Sequence, residues 1–188
     1  MNNDNLDDII KTHSEQQLMP SDVCRIDEIE SHITLKSELF ELGFRFPRLL
    51  RYYQSVFKTV KGCDVVDLNV SVGQSLGFNV MKCDLNDSVP DLSHSSVVVA
   101  YHVLEHVSRP DVTISRIEES MSDGSLFHVE VPIEPGIPRL RYAHMFPFER
   151  NDLTRMCEIA GFTILKTCHN PYPGGPDIER CLVVKNKR

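Results

Sequence analysis

The stretch VVVAYHVLEHVSRP, residues 97–110, decides the fold predicted for this chain. Its first half belongs to the run SSVVVAY (95–101), the most apolar strand candidate in the sequence. Its second half opens the segment 102–121, which has helical apolar spacing and a break predicted at Pro110. A short, continuously apolar strand followed by a helix is typical of a parallel sheet that is covered on both faces.

Strand and helix candidates alternate on both sides of this stretch. Upstream, the apolar pattern predicts a helix and three strands, at 47–57 and at 35–42, 63–68 and 78–85. Downstream, it predicts a helix and three strands, at 149–162 and at 125–132, 162–168 and 179–186. The last two strands follow each other without a helix pattern, so one of them should run antiparallel. We therefore predict an α/β fold of the Rossmann-like, doubly wound class, with a mostly parallel sheet and an antiparallel strand near the C-terminus.

Length and composition indicate one globular domain. The chain has 188 residues, of which 41% are hydrophobic and 25% charged, and these are the usual proportions of a folded domain. The first twenty residues are polar and aperiodic, whereas a helix pattern begins at Ser21. We predict a flexible tail over residues 1–20 and a single domain over residues 21–188.

Charge and cysteine content argue against several classes of function. The 27 acidic residues outnumber the 20 basic ones, and an acidic surface repels nucleic acid. The acidic start MNNDNLDDII is unlike a secretion signal, and no apolar run approaches the ~20 residues of a membrane span. The six cysteines form no CxxC pair, which favours reduced thiols in a cytoplasmic protein. We expect neither a nucleic-acid partner nor a membrane partner.

Two aspartates are predicted at strand ends, where sheets of this kind bind their ligands. Asp67 should end the second strand, and its carboxylate could accept hydrogen bonds from both hydroxyls of a ribose. Asp84 should end the third strand, where a short side chain could meet the edge of an adenine. This pair predicts a nucleotide-like ligand at the edge of the sheet.

The turn after the first strand, ELGFRFP (41–47), is an altered form of a cofactor-binding pattern. The common form reads acid-x-Gly-x-Gly-x-Gly and lets the backbone approach the ligand closely. Glu41 and Gly43 match this form, whereas Arg45 and Pro47 stand at the second and third glycine positions. Arg45 adds bulk and positive charge to the turn, while Pro47 suits the start of the following helix.

Residues 102–106 read H-x-x-E-H, the order of an inverted zinc-peptidase motif. On a helix, His102 and His106 would share a face and could bind zinc, with Glu105 as the base. Such a site needs a third protein ligand from another helix, and this segment instead follows a buried parallel strand. We therefore predict no metal site and keep the zinc peptidase as a minor alternative.

From about Leu35 to Arg188, some four fifths of the chain, the sequence resembles class I S-adenosylmethionine-dependent methyltransferases, particularly the small type 11 group. Three segments carry the resemblance in the order of the family: VVVAYHVLEHVSRP, IEESMSDGSLFHVEVP and HMFPFERNDLTRMCEIAGF. The resemblance implies S-adenosylmethionine as cofactor and methyl transfer to a small-molecule acceptor. The alternative is a degenerate member that keeps the fold and serves as a non-catalytic binding or interaction module.

The resemblance also implies which residues would surround the cofactor. Arg45 could pair with the carboxylate of the cofactor. The residues are given below in the order in which they would line the cofactor, from the methionine end through the ribose and the adenine to the sulfonium. The implied cofactor-binding residues are Glu41, Gly43, Arg45, Asp67, Asp84, Leu85 and Tyr101.

Histidines are the candidate bases for a hydroxyl or amine acceptor, because imidazole titrates near neutral pH. His102, next to the expected sulfonium position, and His144, in the segment expected to cover the site, are the catalytic candidates, and His106 is a further histidine nearby. Arg139 and Arg141 in the covering segment suit an anionic acceptor such as a carboxylate or a phosphate. The alternative is a solvated basic edge that balances Glu134 and Glu149. The sequence leaves the acceptor and the oligomeric state open.

Overall fold

A seven-stranded mixed sheet forms the centre of the protein in the computed structural model, which describes residues 11–12, 16–136, 143–169 and 177–187. The strands are β1 (Glu38–Leu42), β2 (Thr59–Asp64), β3 (Asn79–Lys82), β4 (Val97–Tyr101), β5 (Leu126–Pro132), β6 (Phe162–His169) and β7 (Ile178–Lys185). The helices are α1 (Pro20–Glu30), α2 (Arg48–Tyr53), α3 (Asp67–Ser75), α4 (Pro110–Ser120) and α5 (Asp152–Ala160), with a 3₁₀ turn at Leu104–His106. The strands lie in the order β3-β2-β1-β4-β5-β7-β6.

The sheet is parallel except for β7. Strand β1 pairs in parallel with β2 and β4, and β3 and β5 extend the sheet on either side in the same direction. Strand β7 lies antiparallel between β5 and β6, because the short connection from His169 to Ile178 cannot hold the crossover of about a dozen residues that parallel neighbours need. This topology confirms the predicted Rossmann-like, doubly wound α/β fold with an antiparallel strand near the C-terminus.

Helices cover both faces of the sheet. The apolar side chains of α4 and α5 pack in one cluster, and those of α1, α2 and α3 pack in another. Leu39 and Phe40, neighbours in β1, belong to different clusters, as the alternation of a strand requires. Every residue of β4 and β5 is buried. Of the two, only β4 has a continuous apolar pattern, because β5 also buries His128 and Glu130.

The end of β2 differs from the prediction. The apolar pattern predicts a strand over 63–68, but β2 ends at Asp64. The Asp64 carboxylate stops the strand because it accepts hydrogen bonds from the backbone N–H groups of Arg45 and Val66, both at 2.9 Å. Val65 and Val66, which make the segment resemble a strand, are about half exposed in the turn.

The helix boundaries also differ in part from the prediction. The segment 102–121 divides into the 3₁₀ turn and α4, and α4 begins at Pro110, where the break is predicted. The predicted helix over 47–57 ends earlier, at Tyr53. Most of the tail predicted over 1–20 lies outside the described residues, and α1 begins at Pro20.

The longest of the helices named above, α1 and α4, have 11 residues each. Within the described ranges, each helix is too short or too polar to cross a bilayer.

Candidate functional site

The carboxyl ends of β1, β2, β4 and β5 meet at one edge of the sheet. Leu42 in β1 lies beside both Cys63 in β2 and Ala100 in β4. Tyr101 at the end of β4 lies beside Glu130 in β5. The chain order of the strands reverses between β1 and β4, and parallel sheets bind their ligands at such a point.

Glu41 places a buried carboxyl group at the end of β1. The residue is 4% exposed, and its Oε2 atom has no hydrogen-bond partner within the described part of the chain. Burial raises the pKa of Glu41 to about 8, and the charges of Arg48 and Arg25 offset only part of this effect. The side chain is therefore mostly a neutral acid at pH 7, and among the described residues its Oε2 atom lacks the partner that buried polar atoms usually have.

Gly43 begins the turn that follows β1. Its φ is +66°, and a Cβ atom at this position would lie 2.4 Å from Cγ2 of Val103. Glycine is therefore required both by the left-handed backbone and by the close approach of the segment that follows β4. The two connections meet in a tight seam at the edge of the sheet.

Arg45 adopts a backbone conformation that favours glycine. Its φ is 36°, and its guanidinium stacks over the ring of Phe46 at 4.9 Å from the ring centre. The residue is exposed, so its charge lies on the solvent side of the turn. Pro47 is buried directly before α2, where its fixed φ is compatible with the helix start.

Asp64 is the carboxylate at the end of β2, and the prediction that Asp67 ends this strand is wrong. Asp64 is buried, with one backbone hydrogen bond to each oxygen. Asp67 begins α3, where its side chain is 77% exposed and pairs with Lys82 at 2.8 Å. The β-branched residues Thr59 and Val60 were the available signal that the strand starts earlier.

Asp84 and Leu85 follow β3. Oδ1 of Asp84 accepts hydrogen bonds from the backbone and side-chain nitrogens of Asn86, both at 2.9 Å. Leu85 is buried in the apolar cluster beneath α4. The backbone N–H of Cys83 donates to the carbonyl of Asp64 at 3.0 Å. Asp84 and Leu85 therefore follow β3 at the same edge of the sheet as Asp64.

His102, directly after β4, lies between two carboxylates. Its φ is 54°, its Nε2 lies 3.0 Å from Glu130 and its Nδ1 lies 3.5 Å from Glu105. Burial lowers the pKa of His102, but the hydrogen bonds to Glu105 and Glu130 outweigh burial and raise this pKa to about 9. An imidazolium donates hydrogen bonds, whereas the predicted role as a base needs a neutral ring.

Tyr101 lies beneath α1. Its hydroxyl group lies 2.8 Å from Nδ1 of His128, and the guanidinium of Arg25 lies 4.4 Å from the centre of its ring. The residue is buried, so a ligand that contacts the ring must share this space with Arg25.

Glu130 is the centre of a buried charge network. Arg180 lies opposite Glu130 in the antiparallel β5–β7 pair and donates to it through Nε at 2.7 Å and Nη2 at 2.6 Å. Arg25 also donates to Glu130. Burial would raise the pKa of Glu130, but the hydrogen bond from His102 and the charges of Arg25 and Arg180 hold it well below its usual range.

Helix α1 is part of this edge, although its sequence resembles that of a peripheral helix. Asp22 is buried and accepts hydrogen bonds from Arg25 at 3.0 Å and from Arg48 at 2.6 Å. One helical turn further, Glu28 lies 3.3 Å from Arg180. The three-residue spacing of Asp22, Arg25 and Glu28 puts them on one helix face, and this was the signal that could have revealed their role.

His144 lies next to His106. Its Nδ1 lies 2.5 Å from Oε2 of Glu134, and the centres of the His106 and His144 rings are 5.0 Å apart. The structure therefore pairs His144 with His106 through a direct ring contact. Arg139 and Arg141, the candidates for an anionic acceptor, lie outside the described residues.

Solved structures share this fold. An S-adenosylmethionine-dependent methyltransferase from Clostridium acetobutylicum gives a TM-score of 0.72 at 8% identity, over 94% of this chain and 95% of that one. Phosphoethanolamine N-methyltransferase 2 of Haemonchus contortus, solved with S-adenosyl-L-methionine, gives 0.74 at 9% identity, over 89% and 52%. The [4+2]-cyclase SpnF gives 0.73 at 14% identity, over 89% and 82%. No family model and no curated protein matches the sequence.

The strand order and these likenesses define the structural class. The chain has the fold of class I S-adenosylmethionine-dependent methyltransferases, with the antiparallel β7 between β5 and β6. At identities of 8% to 14% the comparison reaches the fold alone, because one fold can support different reactions.

Proposed function

We propose that this protein binds S-adenosylmethionine at the edge formed by β1, β2 and β4 and transfers its methyl group to a small-molecule acceptor. The observation that carries this proposal is the buried oxygen of Glu41, which has no hydrogen-bond partner among the described residues, two positions before the close turn at Gly43. The methionine part of the cofactor carries an ammonium group. Pairing with that cation would ionise Glu41 and give the oxygen a partner, so the residues present fit this part of the cofactor.

Asp64 takes the place of Asp67 in the proposed ribose site. Each oxygen of a carboxylate can accept two hydrogen bonds, and backbone N–H groups use one on each oxygen of Asp64. We place Asp84 and Leu85 beside the adenine, and Arg45 near the carboxylate of the cofactor.

The bound cofactor would supply an electrophilic methyl group, and the residues of this chain would hold the acceptor in line with it. Tyr101 and His102 follow β4 and are proposed to border the reacting groups. Because Glu105 and Glu130 engage both ring nitrogens of His102, His102 is proposed to border the acceptor with its ring. His144, oriented by Glu134, is proposed to lie on the acceptor side. The six cysteines are free thiols, which supports a cytoplasmic location.

Calorimetry with S-adenosylmethionine and S-adenosylhomocysteine tests the cofactor site. We expect both ligands to bind the full chain, and Glu41→Gln to weaken binding by about 10- to 150-fold, since it removes a charge-assisted hydrogen bond to the ammonium group. At pH 6.5, in buffers of different ionisation enthalpy, wild-type binding should release a proton as Glu41 ionises. The matched control is Glu119→Gln, an exposed glutamate on α4, which should leave the affinity unchanged.

The pair Asp64→Asn and Asp67→Asn tests the ribose site. Asp64→Asn should weaken cofactor binding by about tenfold or more, whereas Asp67→Asn, three residues further along the chain, should not. Equal affinities in two folded variants would remove Asp64 from the proposed site.

A non-catalytic interaction module is the second candidate. Arg25 favours it, because Asp22 and Glu130 hold this cation against Tyr101, where it would repel a cationic cofactor. Absence of a thermal shift with millimolar S-adenosylmethionine and S-adenosylhomocysteine would favour the module over the enzyme.

A further inference from the structure

Three side chains that commonly bind metals converge beyond the end of β4. One possible ligand atom from each of Glu105, His106 and His144 lies within 4.8 Å of the other two. Glu105 and His106 belong to the 3₁₀ turn, and His144 precedes Phe148, which bridges to the end of β5. We infer that this cluster is a binding site for one divalent first-row transition metal ion, with Zn²⁺ as the ion that fits the donor set best.

The backbone fixes the two segments to each other. The N–H groups of Met145 and Phe146 donate to the carbonyl of Glu105 at 2.7 Å and 3.1 Å. The loop that carries His144 is therefore joined to the turn that carries the other two residues. A site whose ligands are fixed by backbone contacts loses little conformational entropy when it binds an ion.

Both imidazoles are oriented through Nδ1. Nδ1 of His144 lies 2.5 Å from Oε2 of Glu134, and Nδ1 of His106 lies 3.2 Å from the carbonyl oxygen of Ala143. A carbonyl and a carboxylate accept hydrogen bonds, so Nδ1 carries the proton in each neutral ring and Nε2 carries the lone pair. A metal-binding histidine usually donates its other N–H to such an acceptor.

Glu105 supplies a buried carboxylate. Its side chain is 2% exposed, and Oε2 has no hydrogen-bond partner among the residues that the structure describes. Its other oxygen lies 3.5 Å from His102. A buried carboxylate oxygen without a partner is costly, and a bound cation would remove that cost.

The donor set selects the class of ion. Mg²⁺ and Ca²⁺ prefer oxygen ligands, whereas two imidazoles and one carboxylate suit zinc and other first-row transition ions. Ligand atoms of a tetrahedral zinc site lie about 3.4 Å apart, so small side-chain rotations would close the cluster. Three protein ligands leave a fourth position for water or an oxygen of a small molecule. His102 of the H-x-x-E-H motif is not part of this cluster, and His144 supplies the second imidazole.

Cobalt binding to the full chain tests the proposal. After treatment with a chelator and dialysis, the protein should bind one Co²⁺ per chain, with visible d–d bands and without the charge-transfer band of a thiolate ligand. Zn²⁺ should displace the Co²⁺ and raise the melting temperature. His106→Ala and His144→Ala should each lower Co²⁺ affinity by at least about tenfold. The control His94→Ala changes an exposed histidine in another connection and should bind like the wild type.

Melting curves without metal show whether each variant is folded, and His106 is exposed, so His106→Ala keeps the test valid if His144→Ala unfolds. Failure of the wild type to bind Co²⁺ at millimolar concentration would overturn the proposal. A thiolate band, or unchanged affinity in a folded His106→Ala variant, would do the same. Cofactor binding is measured separately through Glu41, so the two proposals can fail independently.

Discussion

The sheet edge where the carboxyl ends of β1, β2, β4 and β5 meet has two halves, the β1–β2 half and the β4–β5 half. Each half contains a buried glutamate, and the two glutamates differ in their partners and in the direction of their pKa shifts. Glu41, in the first half, has an oxygen without a partner in the described chain, and burial raises its pKa to about 8. Glu130, in the second half, meets Arg25, Arg180 and His102, and its pKa is lowered. In the β4–β5 half, the protein itself supplies the counter-ions of Glu130. In the β1–β2 half, a ligand could supply a partner for Glu41.

The largest effect should come from breaking the β4–β5 network. Glu130→Gln keeps the shape of the side chain but leaves the charges of Arg25 and Arg180 buried with one counter-ion fewer. We expect a loss of about 3–5 kcal/mol in the free energy of unfolding, measured by urea denaturation. Exposed Glu119→Gln should change it by less than about 0.5 kcal/mol. A loss below about 1 kcal/mol for Glu130→Gln would mean that the network is not structural.

The second prediction concerns the pH dependence that Glu41 causes. Its folded pKa of about 8 lies above the ordinary 4.5, so the folded state keeps a proton that the unfolded state releases. The contribution of Glu41 to stability is therefore fully present below the ordinary pKa and is lost as the pH rises from about 5 to 8, by on the order of 3 kcal/mol. Glu41→Gln cannot ionise and should remove most of the slope between pH 5 and 6.5, measured by urea denaturation at pH 5, 6.5 and 8. Above pH 6.5, His102, whose pKa is also raised, should keep some slope in both proteins.

Glu28 should cause a second pH dependence of stability, the acid limb of the profile, at low pH. Burial would raise the pKa of Glu28, but its hydrogen bonds to His128 and Lys166 lower it to about 2. This stabilisation is present above about pH 4.5 and is lost as the pH falls towards 2. Glu28→Gln should flatten the acid limb and leave the slope above pH 5 in place. A flat wild-type profile between pH 5 and 8 would contradict the assignment of Glu41 as a neutral buried acid.

The third prediction compares two glycines in order to separate the effect of steric overlap on stability from the effect of backbone strain. Gly43 and Gly77 both have a positive φ, of +66° and +83°. A Cβ atom would overlap Val103 at Gly43, whereas none of the described atoms lies within 4 Å of it at Gly77. Gly77→Ala should cost about 1 kcal/mol, and Gly43→Ala about 2–3 kcal/mol, because only the latter adds an overlap to the strain. Equal losses in thermal or urea unfolding would show that the seam at Val103 can open.

The sequence predicts the two halves of the edge unequally well. A continuous apolar run locates β4, and the turn at Gly43 follows from its place after a strand, so these features can be predicted from the sequence. The Glu130 network is not visible, because Arg25 and Glu130 lie 105 positions apart in the chain. Only the packing of α1 on the sheet brings them together. The H-x-x-E-H motif predicts that His102 and His106 share one face of a helix. Residues 104–106 instead form a 3₁₀ turn, and the ring of His106 contacts that of His144.

The fourth and smallest prediction concerns the end of β2, where sequence reasoning chose the wrong aspartate. Asp64 is buried, and its two oxygens accept backbone hydrogen bonds that close the turn, whereas Asp67 forms an exposed pair with Lys82. Asp64→Asn keeps one oxygen acceptor but replaces the other with an NH₂ group, so we expect a loss of about 1–2 kcal/mol in the free energy of unfolding. Asp67→Asn should leave the urea midpoint unchanged within error, because exposed ion pairs contribute little. The reverse order of the two effects would show that the strand continues to Asp67, and the ribose site would then return to that residue.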